Sequence, residues 1–153
     1  MTPTEFFAYV SEILASEPAV DHSWSADRLS VVFPKKSDNG FDIVVAYDPS
    51  TNTLEIQTDR GYHDHYHIEK FDSFSAALAC VFGLVRDLLS PNMRIEETTA
   101  NGKPRKWQLQ SYTKGQWVTE STTGLLVWNI FGRKSTVAYS NHVLPLREFN
   151  PDA

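Results

Sequence analysis

The sequence predicts an α+β domain. A helix opens the chain, four antiparallel strands follow, then a central buried helix, then an antiparallel meander, with the sheet curved around the second helix. Three observations carry this. Apolar and polar residues alternate in short segments between residues 28 and 68. A long apolar run of helical length fills 74–89. Beyond it, turn dipeptides cut the chain into strand-length pieces. Helices at the start and middle with runs of strands between them belong to α+β, not to alternating βαβ architecture.

The first helix begins at Thr2-Pro3-Thr4-Glu5. Thr2 and Glu5 are spaced to cap each other's backbone N–H, and Pro3 suits the first helical position. Phe6, Val10, Ile13 and Leu14 share one face, and Pro18 marks the end. This helix is expected to cover an open flank of the sheet.

Residues 28–33 and 41–48 alternate, with Leu29, Val31 and Phe33 and then Phe41, Ile43, Val45 and Tyr47 on the apolar side. Asp48-Pro49-Ser50-Thr51-Asn52 is turn chemistry. Leu54 and Ile56 point inward from 53–58, and Asp59-Arg60-Gly61 forms a three-residue hairpin with Gly61 left-handed. The return strand, 62–68, then pairs Gln57 with His63, Glu55 with His65 and Leu54 with Tyr66.

Asp72 or Ser73 caps the second helix. Phe74, Leu78, Val81, Phe82, Val85 and Leu88 make it apolar nearly all round, so it is expected to be the buried one, with Cys80 an inert core thiol. Gly83 is expected to permit close packing. Asn101-Gly102 joins strands 94–99 and 105–112, Lys114-Gly115 leads into 116–121, and Thr123-Gly124 into 125–131. That last segment is apolar on both faces and includes Trp128, so it reads as a central strand. Strand 135–140 and an irregular tail complete one domain spanning 1–153.

Composition narrows the function classes. The chain has 153 residues, 41% hydrophobic and 22% charged, which fits one folded domain and excludes a disordered chain. Its formal net charge of −5 argues against a general nucleic-acid binder. With one cysteine there is no intrachain disulfide. No basic-then-apolar leader opens the sequence and no apolar stretch is long enough to span a membrane, so a cytoplasmic protein is expected. No phosphate loop, nucleophile elbow or triad pattern occurs, which favours a non-enzymatic role.

Charge is unevenly distributed. Residues 1–75 hold 13 acids and 5 bases, net −8, whereas 76–153 hold 6 acids and 9 bases, net +3. Asp42, Asp48, Glu55 and Asp59 fall in the first strand run, where a shared surface would attract a basic protein. Trp24 and Trp117 lie in or beside loops, as interface anchors do. The leading expectation is a small protein-binding module, by class analogy an immunity-type protein that neutralises a basic toxin through this acidic face.

Two alternatives remain. In His63-Asp64-His65-Tyr66-His67 the three histidines and Glu69 share one strand face, a pattern able to chelate a divalent metal such as zinc. Over seven residues the spacing His63-x-His65-x3-Glu69 partly resembles the metal motif of the cupin family. The flanking glycines of that motif are absent, and a helix follows where a cupin continues as strand. The other alternative is a small-molecule binder in a sheet-lined pocket, with Tyr112, Trp117 and Tyr139 as aromatic lining.

Overall fold

A computed structural model describes residues 2–124 and 132–146. The expected strand at 125–131, with Trp128, lies outside the described residues, as does the tail from 147. The order is α1 (Pro3–Ala15), β1 (Ser23–Trp24), β2 (Ser30–Phe33), β3 (Ile43–Asp48), β4 (Thr53–Thr58) and β5 (His63–His67). A 3-10 turn (Ile68–Lys70) leads to α2 (Phe74–Leu88), followed by β6 (Met93–Ala100), β7 (Lys103–Thr113), β8 (Gln116–Thr123) and β9 (Lys134–Tyr139). The α+β class is therefore as predicted.

The strands divide into two antiparallel sheets. The first runs β1-β2-β3-β4-β5 and the second β8-β7-β6-β9. No ladder joins β5 to β6 among the described residues, because α2 intervenes and contacts both sheets, β4 on one side and β6 on the other. The second sheet departs from a simple meander. After β8 the chain crosses to the far side of β6, where Ile95 pairs with Tyr139 and Ala100 with Lys134.

Local chemistry explains most boundaries. Thr2 and Glu5 form the expected capping box of α1, and the Ser73 hydroxyl accepts from the Ala76 N–H at the start of α2. Asn101 and Gly102 both take positive φ, 51° and 75°, as a two-residue turn matched to strand twist requires. Gly61, at φ 77°, closes the β4–β5 hairpin as expected. The strand β1 was not foreseen. Its two residues sit in a polar segment too short to show any period, and pairing Ser23 with Val32 and Trp24 with Val31 defines it.

Both helices lie on one face of the first sheet. Phe6 of α1 packs edge-on against Trp24 at 6.0 Å and, with its ring tilted, against Tyr47 at 5.7 Å. Tyr9 meets Phe74 of α2 at 5.4 Å. The sheet supplies Val31, Phe33, Ile43, Val45, Tyr47, Leu54 and Ile56 to the core, and α2 supplies Ala77, Leu78, Val81, Phe82, Val85 and Leu88.

Two expectations for α2 are corrected. Cys80 is exposed, not buried. It and Ala79 lie on the arc opposite the buried stripe, and a run of small apolar residues had hidden the helical period there. A Cβ added at Gly83 would meet nothing within 4 Å, so no close packing requires this glycine.

Candidate functional site: the helix-free face of the first sheet

The alternation that buries one face of the first sheet defines the other. In β3, Ile43, Val45 and Tyr47 point to the helices, so Val44, Ala46 and Asp48 point away. Register then builds the outer face row by row. Val32 pairs with Val44, Val44 with Gln57 and Gln57 with His63. Ala46 pairs with Glu55 and Glu55 with His65, while Thr53 lies between Asp48 and His67. The expected cross-strand pairs of β4 and β5 are all present. Two separately motivated residue sets, the acidic Asp42, Asp48, Glu55 and Asp59 and the histidines of β5, therefore occupy one surface.

The face has a half-buried apolar centre of Val32, Val44 and Ala46. Carboxylates stand around it, and each has a local partner. Asp42 accepts the Lys35 N–H at 2.8 Å, and Asp59 accepts the Asp42 N–H at 3.0 Å while pairing with the Lys35 ammonium at 3.6 Å. Asp48 accepts from the Ser50 N–H at 2.8 Å, the Ser50 hydroxyl at 2.6 Å and the Thr51 hydroxyl at 2.9 Å. Those three donors hold the Asp48 carboxyl below the ordinary carboxylate range. The Glu55 side chain is 40% exposed and lies 3.4 Å from His65 Nδ1, with no backbone N–H or hydroxyl of a turn bonded to its carboxylate among the described residues.

The histidines stand in a row on the edge strand. The His63 and His65 rings meet edge-on at 5.9 Å. His67 Nδ1 lies 3.3 Å from the Thr53 hydroxyl and 3.8 Å from Glu69. His65 and His67 thus face different carboxylates, and among the described residues no three His, Cys, Asp or Glu side chains are grouped to hold one ion.

The opposite side of β5 carries a different arrangement. Tyr62 and Tyr66 point toward α2, beside Asp64. Burial first, then the Asp64 charge, pushes the Tyr62 phenol up to about 12. Burial also raises Tyr66, with Tyr62 and Asp64 adding to it. No sequence pattern marked this pair, because their effect comes from the covering helix.

The tryptophan candidates separate. Trp24 faces the helices, 4.8 Å from Phe7 as well as against Phe6, and closes the end of the core. Trp117 lies on the second sheet, on the side away from the core. Arg94 stacks over its ring at 4.1 Å, and Tyr112 adjoins it at 5.2 Å. The Arg94 Nε–H donates to Gln110 at 2.7 Å, which fixes the guanidinium in place. Tyr139 is on the other face of that sheet, under Arg60 at 4.0 Å, so it does not share a site with Tyr112 and Trp117.

A small apolar cavity of about 100 Å³ lies elsewhere, between Leu14, Phe33, Phe82, Val85 and Leu144, with the Glu17–Arg86 ion pair at its rim. No described helix is long and apolar enough to cross a membrane. No known protein family, no curated protein sequence and no solved structure matches this chain.

Proposed function

We propose that this chain is a non-enzymatic protein-binding module that docks a basic partner on the helix-free face of its first sheet. The observation that carries the reading is the coincidence on that face of four carboxylates with an apolar centre. Such a surface combines long-range attraction for cations with a patch that gains from losing water. Lys35 offsets part of the charge at the Asp42–Asp59 end, so the strongest acidic field is expected around Glu55 and Asp48. Neutralising a basic toxin, as immunity-type proteins do, is the role within this class that the small size and acidic balance fit. The single exposed thiol of Cys80 suits a reducing compartment such as the cytoplasm.

The test is native pull-down with mass spectrometry on the wild type, on Glu55→Lys/Gln57→Lys, and on Glu12→Lys as a control on α1. Glu55 and Gln57 are the outward residues of β4 with no turn to hold together, so their replacement leaves the fold intact. The expected result is one stoichiometric partner of basic charge, lost with the double variant, retained with the control, and released by salt. A partner that survives the double variant, or none at stoichiometric amount in the wild type, overturns the reading.

A further inference from the structure

We propose that β5 is also the contact of a homodimer. Its free edge pairs antiparallel with the same edge of a second copy, and a divalent cation such as zinc bridges His63 of one copy to His67 and Glu69 of the other. This does not rest on the docking of a basic protein.

The strand β5 ends its sheet and is laddered only to β4 among the described residues. The direction of its backbone groups is fixed at both ends. The Thr58 N–H donates to the Tyr62 carbonyl at 2.8 Å, and the Ile68 N–H donates to the Asn52 carbonyl at 3.2 Å. Bonded pairs of an antiparallel ladder recur at every second residue. Asp64 and Tyr66 therefore direct their N–H and C=O groups toward β4. His63, His65 and His67 direct theirs to the open edge. The side chain of Asp64 curls round to accept the His65 N–H at 2.8 Å, the local substitute a strand edge adopts without a neighbour.

This edge is self-complementary. His63-Asp64-His65-Tyr66-His67 reads almost alike in both directions. A two-fold axis through His65 places His65 opposite itself, His63 opposite His67, and Asp64 opposite Tyr66. The bonded pairs of the new ladder are then His65 with His65 and His63 with His67, the residues whose backbone groups already face outward. Asp64 and Tyr66 fall into the closely spaced non-bonded positions, a carboxylate against a phenol. A shift of one residue would set inward-directed groups against outward ones, and a shift of two would keep the backbone match but part His63 from His67 of the partner subunit, so the metal ligands select this register. The interface is isologous and consumes the edge, so the assembly closes at two copies.

The same register creates metal sites that one chain lacks. Directly opposed residues on a common face bring their Cβ atoms to about 5 Å. His63 therefore meets His67 of the partner subunit, and Glu69 of the partner subunit comes with it, as Glu69 stands 3.8 Å from its own His67. Two imidazoles and a carboxylate form a zinc set with a fourth position open to water. Symmetry makes two such sites per dimer. A five-residue strand contact is small for a stable interface, so the cation is expected to control association.

The test is sedimentation velocity on the full chain in EDTA and in equimolar zinc chloride, with bound zinc measured by equilibrium dialysis. The expected result is a monomer in EDTA and, with zinc, a dimer holding about one zinc per chain. His63→Ala/His67→Ala changes only exposed side chains and is expected to lose both the bound zinc and the dimer. His65→Pro removes an N–H that points away from β4, so the circular dichroism spectrum stays native while dimerisation weakens at least about 10-fold. A chain that stays monomeric at saturating zinc overturns the proposal. So does a zinc-induced dimer that persists in the double histidine variant, or one indifferent to His65→Pro.

Discussion

The side chain of Asn141 and the backbone of Phe41 exchange two hydrogen bonds. The Phe41 N–H donates to Asn141 Oδ1 at 3.2 Å, and Asn141 Nδ2 donates back to the Phe41 carbonyl at 3.1 Å. The same nitrogen donates to the Leu88 carbonyl at 3.2 Å. One carboxamide, only 3% exposed, thus ties the segment after β9 to the entry of β3 and to the last turn of α2. The closeness depends on Gly40, where an added Cβ would stand 2.6 Å from Asn141 Oδ1.

Asn141→Ala leaves one donor and two acceptors without this partner in a buried place. The expected loss is about 2–3 kcal/mol, at the upper end for a single polar deletion. Urea denaturation checks it as a lowered midpoint with the slope unchanged. Asn141→Asp is expected to be worse, since a carboxylate keeps the acceptor for Phe41 N–H but sets negative charge against two carbonyl oxygens.

Gly61 against Trp107 is one joint between the two sheets, beside Arg60 over the Tyr139 ring. A Cβ at Gly61 would lie 2.8 Å from Trp107 Cδ2, and its φ of +77° already disfavours any L side chain. Gly61→Ala is expected to cost about 1–3 kcal/mol. Part of that is steric and part conformational, and a cycle with Trp107→Leu separates them. The steric part vanishes in the double variant, whereas the conformational part of about 1 kcal/mol persists. Fully additive losses would mean that the indole makes room at no cost.

How far the sequence announced these features follows from the range of the interactions involved. The capping box, the glycine turns, and the pairing of Glu55 with His65 were legible because each depends on residues a few places apart. So was the helix-free face, since the period that turned Val45 inward also turned Val44 outward. The division into two sheets was not legible. The sheets part where α2 intervenes and are held to each other by contacts such as Asn141 with Phe41 and Trp107 with Gly61, which no local period encodes. Cys80 was misread for a related reason. Ala76, Ala77, Ala79 and Cys80 are too uniform to show which arc the core selects. Trp24 and Trp117 looked alike in sequence, yet one caps the core against Phe6 and the other stacks under Arg94 on the second sheet.

Ionisation of the buried phenols is expected to limit alkaline stability. Tyr62 is raised to about 12 and Tyr66 is also raised, chiefly by burial, so the folded state holds their protons more tightly than the unfolded chain. A raised folded value means that this contribution is complete below pH about 10 and declines as pH rises toward the folded value. Absorbance at the tyrosinate band is expected to show Tyr62 and Tyr66 releasing their protons only with unfolding. Tyr66→Phe is expected to flatten the loss of stability above pH about 10, and a curve unchanged by that substitution would assign the alkaline limit elsewhere.

The Asp48 turn makes the opposite prediction at the acid end and bears on the proposed docking face. Three donors from Ser50 and Thr51 lower the Asp48 carboxyl below its usual range, so its stabilising effect is present at neutral pH and is lost as pH falls through the folded value. Carboxyl NMR titration is expected to place the Asp48 midpoint below the ordinary carboxylate range. Asp48→Asn keeps one acceptor oxygen but removes the charge. It is expected to loosen the turn between β3 and β4, seen as faster amide exchange at Ser50, with little change in the core. Asp48 and Glu55 also answer different questions about partner binding. Weakening by Asp48→Asn mixes turn order with charge, whereas weakening by Glu55→Gln reports charge with the turn intact. If Glu55→Gln weakens a basic partner and the effect shrinks with added salt, attraction is being read at the face itself. If only Asp48→Asn weakens it, the partner is sensing the shape of the turn.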